Sequence, residues 1–270
     1  MKISVIIPTY KPLEYIWECL DSIKNQTFSK ADFELILVLN GCKEPYYSQI
    51  NAYIKQNLIG YNINFIYTDQ GGVSNARNIA LDVAKGEYIT FIDDDDYISS
   101  QYLEELYRKA SPDTVSLCYP YAFNDGADKM QLQYGLTEVY NKYHTRSNNV
   151  INSRVRKYFS GPCMKLFHKD IIGDRRFDIR FKNGEDSIFM FLISNRIHQI
   201  EFTSQESIYY RRYREGSAIM KKRTLFQKIN NVSKIIREVV KIYWSSPSTY
   251  SIQFLATRIL GSIKSIFFTN

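Results

Sequence analysis

Apolar and polar positions alternate in blocks along the first hundred residues, and the blocks switch between two periods. Residues 2–7 form a short β-rich apolar run. Residues 12–23 then carry Leu13, Ile16, Trp17, Leu20 and Ile23 at helical spacing. Residues 33–39 are a second apolar run, closed by Asn40 and Gly41. A helix is expected over 46–58, with Ile50 and Ile54 on one face. Residues 63–67 are the third strand candidate, and 73–83 the next helix, with Gly86 as its stop. Residues 88–92 are the fourth apolar run. Strands and helices at this spacing predict an α/β fold around a mostly parallel sheet with right-handed crossovers.

Beyond residue 110 the pattern thins. A strand is expected at 114–118, a long polar loop or lid over 124–149, a packed helix near 187–197 and a strand-like part within 200–210. At the C-terminal end two helices are predicted. Leu225, Ile229, Val232, Ile236, Val239 and Tyr243 form one stripe. After Pro247, Ile252, Leu255, Ile259, Ile263 and Ile266 form another. Two readings fit these stripes: a helical hairpin packed on the rest of the chain, or an interfacial helix pair with its apolar face in lipid.

Charge sharpens that choice without deciding it. The 270-residue chain has a net charge of +7, unevenly spread. From residue 221 onward Lys221, Lys222, Arg223, Lys228, Lys234, Arg237, Lys241, Arg258 and Lys264 face Glu238 alone, which favours an anionic surface or substrate there. No recognised nucleic-acid motif accompanies the basic residues, so nucleic acid is not an expected partner. The four cysteines are far apart with no C-x-x-C spacing, which points to free thiols in a reducing compartment. The apolar run 3–7 is too short for a secretory leader. No stretch approaches the roughly 18 apolar residues that span a bilayer. The expected location is cytoplasmic, with peripheral contact at the inner membrane face through 221–270.

The strongest chemical signal is four consecutive aspartates, Asp93, Asp94, Asp95 and Asp96, placed where the fourth strand ends. Adjacent carboxylates repel, and a divalent cation offsets the cost. Mg²⁺ and Mn²⁺ take oxygen ligands, and Mg²⁺ typically uses one or two carboxylates plus substrate phosphates. A solvated acidic loop capping the next helix is the plainer alternative. A glycine-rich G-x-G-x-x-G after the first strand is missing, which argues against a dinucleotide oxidoreductase.

Three further segments complete a pattern. Ser4-Val5-Ile6-Ile7-Pro8-Thr9-Tyr10 opens the chain. Gln70-Gly71-Gly72-Val73-Ser74-Asn75-Ala76-Arg77-Asn78 precedes the aspartates, and Gly184-Glu185-Asp186 follows them at a distance. In this order they resemble family 2 glycosyltransferases of the GT-A fold, in the inverting, bacterial surface-polysaccharide type. The resemblance implies a Rossmann-like, mostly parallel central sheet flanked by helices, with a C-terminal helical extension. It divides the chain into a GT-A domain over 1–220, with a nucleotide-sugar half (1–110) and an acceptor half (111–220), and a basic amphipathic extension over 221–270.

What the resemblance implies about residues is specific. Pro8, Thr9 and Tyr10 would meet the nucleobase. Asn40, where the family usually has aspartate, keeps a carbonyl acceptor for uracil. Arg77 would contact the nucleotide or its phosphates. Asp93 and Asp95 fit the DXD pattern, with Asp95 the best ligand of Mn²⁺ or Mg²⁺ and Asp94 near ribose or phosphate. Asp186 would be the catalytic base and Glu185 its orienting or structural neighbour. Arg214 and Ser217 would close over the diphosphate, and Lys165 would lie near the acceptor. The implied reaction is metal-dependent transfer of a hexose or N-acetylhexosamine from a UDP-sugar to a glycan acceptor, possibly lipid-linked. A non-catalytic nucleotide-sugar-binding protein and a sugar nucleotidyltransferase are the alternatives. The latter should carry a glycine-rich basic loop after the first strand, and Pro8-Thr9-Tyr10-Lys11-Pro12 has none.

Overall fold

A computed structural model describes residues 1–126, 128–145, 155–214 and 224–268, with the side chain of Phe268 left out. The first half alternates strand and helix: β1 (Ile3–Thr9), α1 (Tyr15–Lys24), β2 (Phe33–Asn40), α2 (Tyr46–Asn57), β3 (Asn62–Thr68), α3 (Val73–Val83) and β4 (Tyr88–Phe91). Then come β5 (Tyr97–Ile98), α4 (Tyr102–Arg108), β6 (Thr114–Leu117), β7 (Tyr119–Asn124), α5 (Gly135–Tyr143) and a 3-10 turn at Arg156–Ser160. The rest is β8 (Lys165–His168), α6 (Lys169–Ile172), α7 (Glu185–Ile193), β9 (Gln199–Phe202), β10 (Ile208–Tyr213), α8 (Leu225–Ser245) and α9 (Ile252–Phe268).

Among the described residues a seven-stranded sheet runs β3-β2-β1-β4-β8-β6-β9. β1 pairs in parallel with both β2 and β4, β2 with β3, and β6 with β9; β8 is antiparallel to β4 and β6. Every residue of β1 and β2 is buried, so both faces are covered and their sequences read as near-continuous apolar runs rather than alternating ones, with Ser4 and Glu34 paired where they interrupt. One core packs Ile3, Val5 and Ile7 with α1 and α4; the other packs Ile6 and Ile36 with α3 and α7. A small second sheet, β5-β10-β7, stands beside the first. It brings the arginine-rich strand β10 next to the turn that follows β4.

Three local expectations change. Gly86 does not end α3, whose C-cap Ala84 is already extended. Gly86 is needed because a Cβ there would lie 2.4 Å from the Ser4 backbone nitrogen; instead its N–H donates to Ser4 Oγ at 2.8 Å. The stretch 124–149 is not one loop. Its described part contains α5, whose Val139 and Tyr140 are buried and whose Leu136, Val139, Tyr140 and Tyr143 keep helical spacing. The region 200–210 holds parts of two strands, β9 and β10, with a turn between them.

The C-terminal helices form a packed hairpin. Ile235 and Val239 of α8, and Phe254 and Leu255 of α9, are buried in the core shared with α7, and Val232 is buried beside them. Ile235 lies so close to Gly184 that a Cβ there would meet its Cδ1 at 2.2 Å, and Gly184 adopts φ +87°. A side chain at Gly184 would therefore be refused by both backbone and neighbour. Parts of the predicted stripes stay outside, for Leu225, Ile229, Ile252 and Ile263 are exposed, as are Phe226, Trp244, Leu260 and Phe267 off the stripes. No helix among the described residues is long and apolar enough to cross a membrane.

Candidate active site

β1 lies between β2 and β4, and these three strands end at Thr9, Asn40 and, two residues before Asp93, Phe91. Their C-terminal ends open a crevice, the usual ligand position in a doubly wound sheet. It is a cavity of about 730 Å³ lined by both halves of the chain and by the hairpin α8–α9.

The four aspartates form a tight turn, closed by Asp96 N–H donating to the Asp93 carbonyl. Such a turn fans the side chains apart, and each carboxylate has its own partner. Asp93 Oδ1 accepts from Arg77 Nη2 at 2.9 Å. Asp94 accepts from the Thr9 hydroxyl. Asp95 Oδ2 accepts from Arg214 Nε at 2.8 Å, and the Arg214 guanidinium covers the Tyr15 ring. Asp96 is buried and accepts from the Arg212 N–H, pinning β10. Among the described residues no three His, Cys, Asp or Glu side chains converge as a preformed metal cage. The donor set nevertheless suits a hard ion that takes one or two carboxylates and completes its shell with phosphate oxygens. Asp93 and Asp95 fit that task better than Asp96, which is tied into the sheet.

Arg77 joins this turn to the far wall. Its side chain is 3 % exposed; besides Asp93 it donates from Nη1 to Asp186 Oδ1 at 2.5 Å. The Phe177 ring packs against its guanidinium. Burial alone would lower the Arg77 pKa, but Asp186 and Asp93 more than offset it and hold the cation charged. Asp186 and Glu185 begin α7 directly after Gly184, where acidic groups complement the helix dipole. Burial, then the Asp186 charge, pushes the Glu185 carboxyl up to about 7, and Glu185 Oε2 has no hydrogen-bond partner. Burial also raises Asp186, against the pull of Arg77.

The base-binding expectations land at the other end of the cavity, which Pro8, Thr9, Tyr10 and Asn40 line. Tyr10 is exposed and lies over Gly41, where a Cβ would meet Tyr10 Cε2 at 2.8 Å. Asn40 is built into the wall: its Nδ2 donates to the Thr9 carbonyl at 2.7 Å and its Oδ1 accepts from Gly72 N–H at 2.8 Å. It therefore locks two loops together, leaving one lone pair of its carbonyl for a ligand. Lys165 is fully buried, donates to the Gly161 and Cys163 carbonyls, and is pushed by burial down to about 8. Ser217 lies outside the described residues.

Residues that the sequence reading passed over also line the cavity. Arg156, from the 3-10 turn, and Arg258, from α9, stand on the Asp186 side. Arg258, one of the basic residues of the C-terminal stretch, is 2 % exposed. The signal was its place on the inner stripe of α9, four residues after Phe254 and three after Leu255. Glu18 likewise escaped notice; it pairs with Arg212 and Lys129 and braces β10 from α1.

The glycosyl transferase family 2 model matches residues 4–175. The chain is 28 % identical over 223 residues to the poly(ribitol-phosphate) beta-N-acetylglucosaminyltransferase TarS of Staphylococcus aureus, covering 80 % of this chain and 36 % of that protein. It is 30 % identical over 223 residues to the poly(ribitol-phosphate) beta-glucosyltransferase of Bacillus spizizenii, covering 80 % of this chain and 33 % of that protein. The chain thus spans about a third of the length of these curated relatives. Its fold is similar to the crystal structure of S. aureus TarS 1-349 in complex with UDP-GlcNAc, with a TM-score of 0.75 at 21 % identity over 100 % of this chain and 74 % of that one. It is also similar to a mannosyltransferase from Pyrobaculum calidifontis in complex with GDP-Man and Mn²⁺, with a TM-score of 0.64 at 16 % identity over 99 % of this chain and 70 % of that one.

The aspartate turn gives a testable pH dependence. Burial, then repulsion from Asp95 and Asp93, pushes Asp94 up to about 7 from 3.8 against the Thr9 bond, and burial also raises Asp95 and Asp96. A carboxyl raised on folding adds stability below its unfolded pKa, and that stability is lost as pH rises through the folded value. The ligand-free protein should therefore lose Tm between pH 5 and 8. Asp94→Asn should shrink that loss, because the amide carbonyl still accepts from Thr9 without charge. Thermal unfolding across this range checks it; identical profiles for both proteins would contradict the assignment.

Proposed function

The chain belongs to glycosyl transferase family 2, and we propose that it transfers a hexose or N-acetylhexosamine, with inversion, from a UDP-sugar to a glycan acceptor during surface-polysaccharide synthesis. The observation that carries this reading is the Arg77 bridge: one buried cation spaces Asp93, on the aspartate turn, from Asp186, across a single cavity. Donor and acceptor chemistry need such a fixed separation, because reaction depends on a near-attack geometry.

In this reading the nucleoside lies over Pro8, Thr9 and Tyr10 and the diphosphate lies along the aspartate turn. Asp95, with Asp93, would hold a divalent Mn²⁺ or Mg²⁺. The ion would supply charge neutralisation for the departing UDP, so that no general acid is needed. Arg214, paired with Asp95, adds a planar donor set at the same place. Ser217, on the same stretch of sequence, would assist it. Lys165, held by the Gly161 and Cys163 carbonyls, supports the acceptor wall from beneath.

Asp186 acts as base. Arg77 occupies its Oδ1, while its Oδ2 faces Gly161, where a Cβ would lie 3.7 Å away. The acceptor hydroxyl gives its proton to this carboxylate, its oxygen forms the new bond to the anomeric carbon, and the bond to the diphosphate breaks with its electron pair leaving on UDP. Arg77 pulls the Asp186 pKa down against the rise that burial causes, which favours the ionised form that step needs. Glu185, whose carboxyl is pushed up to about 7, orients the acceptor beside it.

The hairpin supports a place at the inner face of an anionic membrane. Phe226 and Trp244 lie five turns apart on one face of α8, and Leu260 and Phe267 are exposed on α9. Apolar side chains among basic ones are the composition of an interfacial helix.

Two outcomes are expected. Asp186→Asn should lower sugar transfer by roughly 10²–10⁴-fold, the usual range for a positioned general base, while UDP affinity stays within a few-fold; unchanged transfer would leave a nucleotide-sugar-binding role instead. In liposome flotation, the chain should rise with phosphatidylglycerol vesicles and the double variant Phe226→Ser, Trp244→Ser should not. Equal flotation of the two would remove the membrane from the account.

A further inference from the structure

The cavity has a second charged end that the transfer chemistry leaves unused. Arg156 and Arg258 both line it. No carboxylate forms an ion pair with either guanidinium among the described residues, whereas Arg77, Arg212 and Arg214 all have one. Arg258 is 2 % exposed, donates from one Nη to the Phe159 carbonyl and leaves its Nε without a partner. Arg156 lies against the α9 backbone, where a Cβ at Gly261 would meet its Nη1 at 2.7 Å. Burial and then the charge of Arg156 push Arg258 down to about 9. A buried guanidinium with an unused donor beside a second, half-buried one costs free energy unless an anion meets them.

Their position says which substrate would bring it. The carbonyl that anchors Arg258 belongs to Phe159, and Gly161 faces Asp186 Oδ2. Two residues of chain reach at most about 7 Å, so Arg258 is anchored on the same wall that Asp186 Oδ2 faces, and no carboxylate of the aspartate turn pairs with either guanidinium. The turn has its own cations in Arg77 and Arg214, so a donor diphosphate there does not call on Arg156 or Arg258. Guanidinium groups match phosphate oxygens with paired donors.

We propose that Arg156 and Arg258 form a subsite for a phosphate ester beside the hydroxyl that the acceptor presents to Asp186. The proposal rests on the donor–acceptor reading given above. It gives the hairpin a function beyond packing: α9 delivers one of the two guanidiniums. The phosphate belongs either to the acceptor chain itself or to a lipid headgroup beside it.

The test is calorimetry on the full chain saturated with UDP, using glycerol trimers joined by phosphodiesters and uncharged, ether-linked triglycerol as probes. The charged trimer should bind at least roughly tenfold more tightly than triglycerol, the scale of one charge-assisted hydrogen bond. Arg156→Gln should remove that preference and leave UDP affinity unchanged. Arg156 is the residue of choice because it is partly exposed and does not carry the Phe159 contact. Vesicles containing phosphatidylglycerol form the second arm. Loss of trimer binding in Arg156→Gln puts the phosphate in the acceptor chain, and loss of vesicle binding alone puts it in a headgroup. No change in either arm overturns the proposal. Failure of the wild type to bind UDP sinks the donor reading separately, and the trimer comparison without UDP still decides the anion subsite.

Discussion

One guanidinium sets the distances in this cleft. Arg77 is buried beneath Phe177 with Asp93 on one side and Asp186 on the other. A buried cation requires anions, and removing one partner of such a pair typically costs about 3–5 kcal/mol. The pair in turn ties together elements far apart in sequence: α3 carries the arginine, the end of β4 carries Asp93 and α7 carries Asp186. The two walls of the cavity that carry Asp93 and Asp186 cannot drift apart without exposing that charge.

Around this bridge the remaining charges are distributed rather than pooled. The tight turn at residues 93–96 points each carboxylate at a different partner; β10 meets it through the Arg212 N–H, and Arg214, directly after β10, meets it through its guanidinium. The small sheet β5-β10-β7 thus positions cations, much as the large sheet positions anions. Glu18 extends the brace to α1. Asp94, Asp95 and Asp96 remain under electrostatic stress, which a cation and a diphosphate arriving together would relieve.

The first hundred residues were legible because both periods are clean there. α3 was expected over 73–83 and is found at Val73–Val83, and the fourth apolar run does end in the aspartate turn. The mostly parallel sheet and the C-terminal helices also agree with the sequence reading. Harder features depend on tertiary contact. α5 is a nine-residue helix that begins with glycine amid polar sequence, and its stripe was too short to stand out. Gly86 looked like a helix stop, but it answers to the backbone of Ser4, eighty-two residues away. Arg258 looked like surface charge because composition counts a residue without its direction; only its i+3 and i+4 relation to Leu255 and Phe254 hints that it turns inward.

The hairpin changes how the chain divides. A boundary at residue 220 separates compositions, yet α8 and α9 wall the same cavity as the aspartate turn, and Ile235 packs on the glycine that precedes Glu185 and Asp186. All of this presumes that the acidic edge receives a nucleoside diphosphate together with a divalent ion. Calorimetric titration of UDP-, GDP- and CMP-sugars into the purified chain, in Mn²⁺ and again in EDTA, tests that most directly. A UDP-sugar that binds in Mn²⁺ and is lost in EDTA is the expected result. Failure of every nucleotide sugar to bind under both conditions would contradict the account.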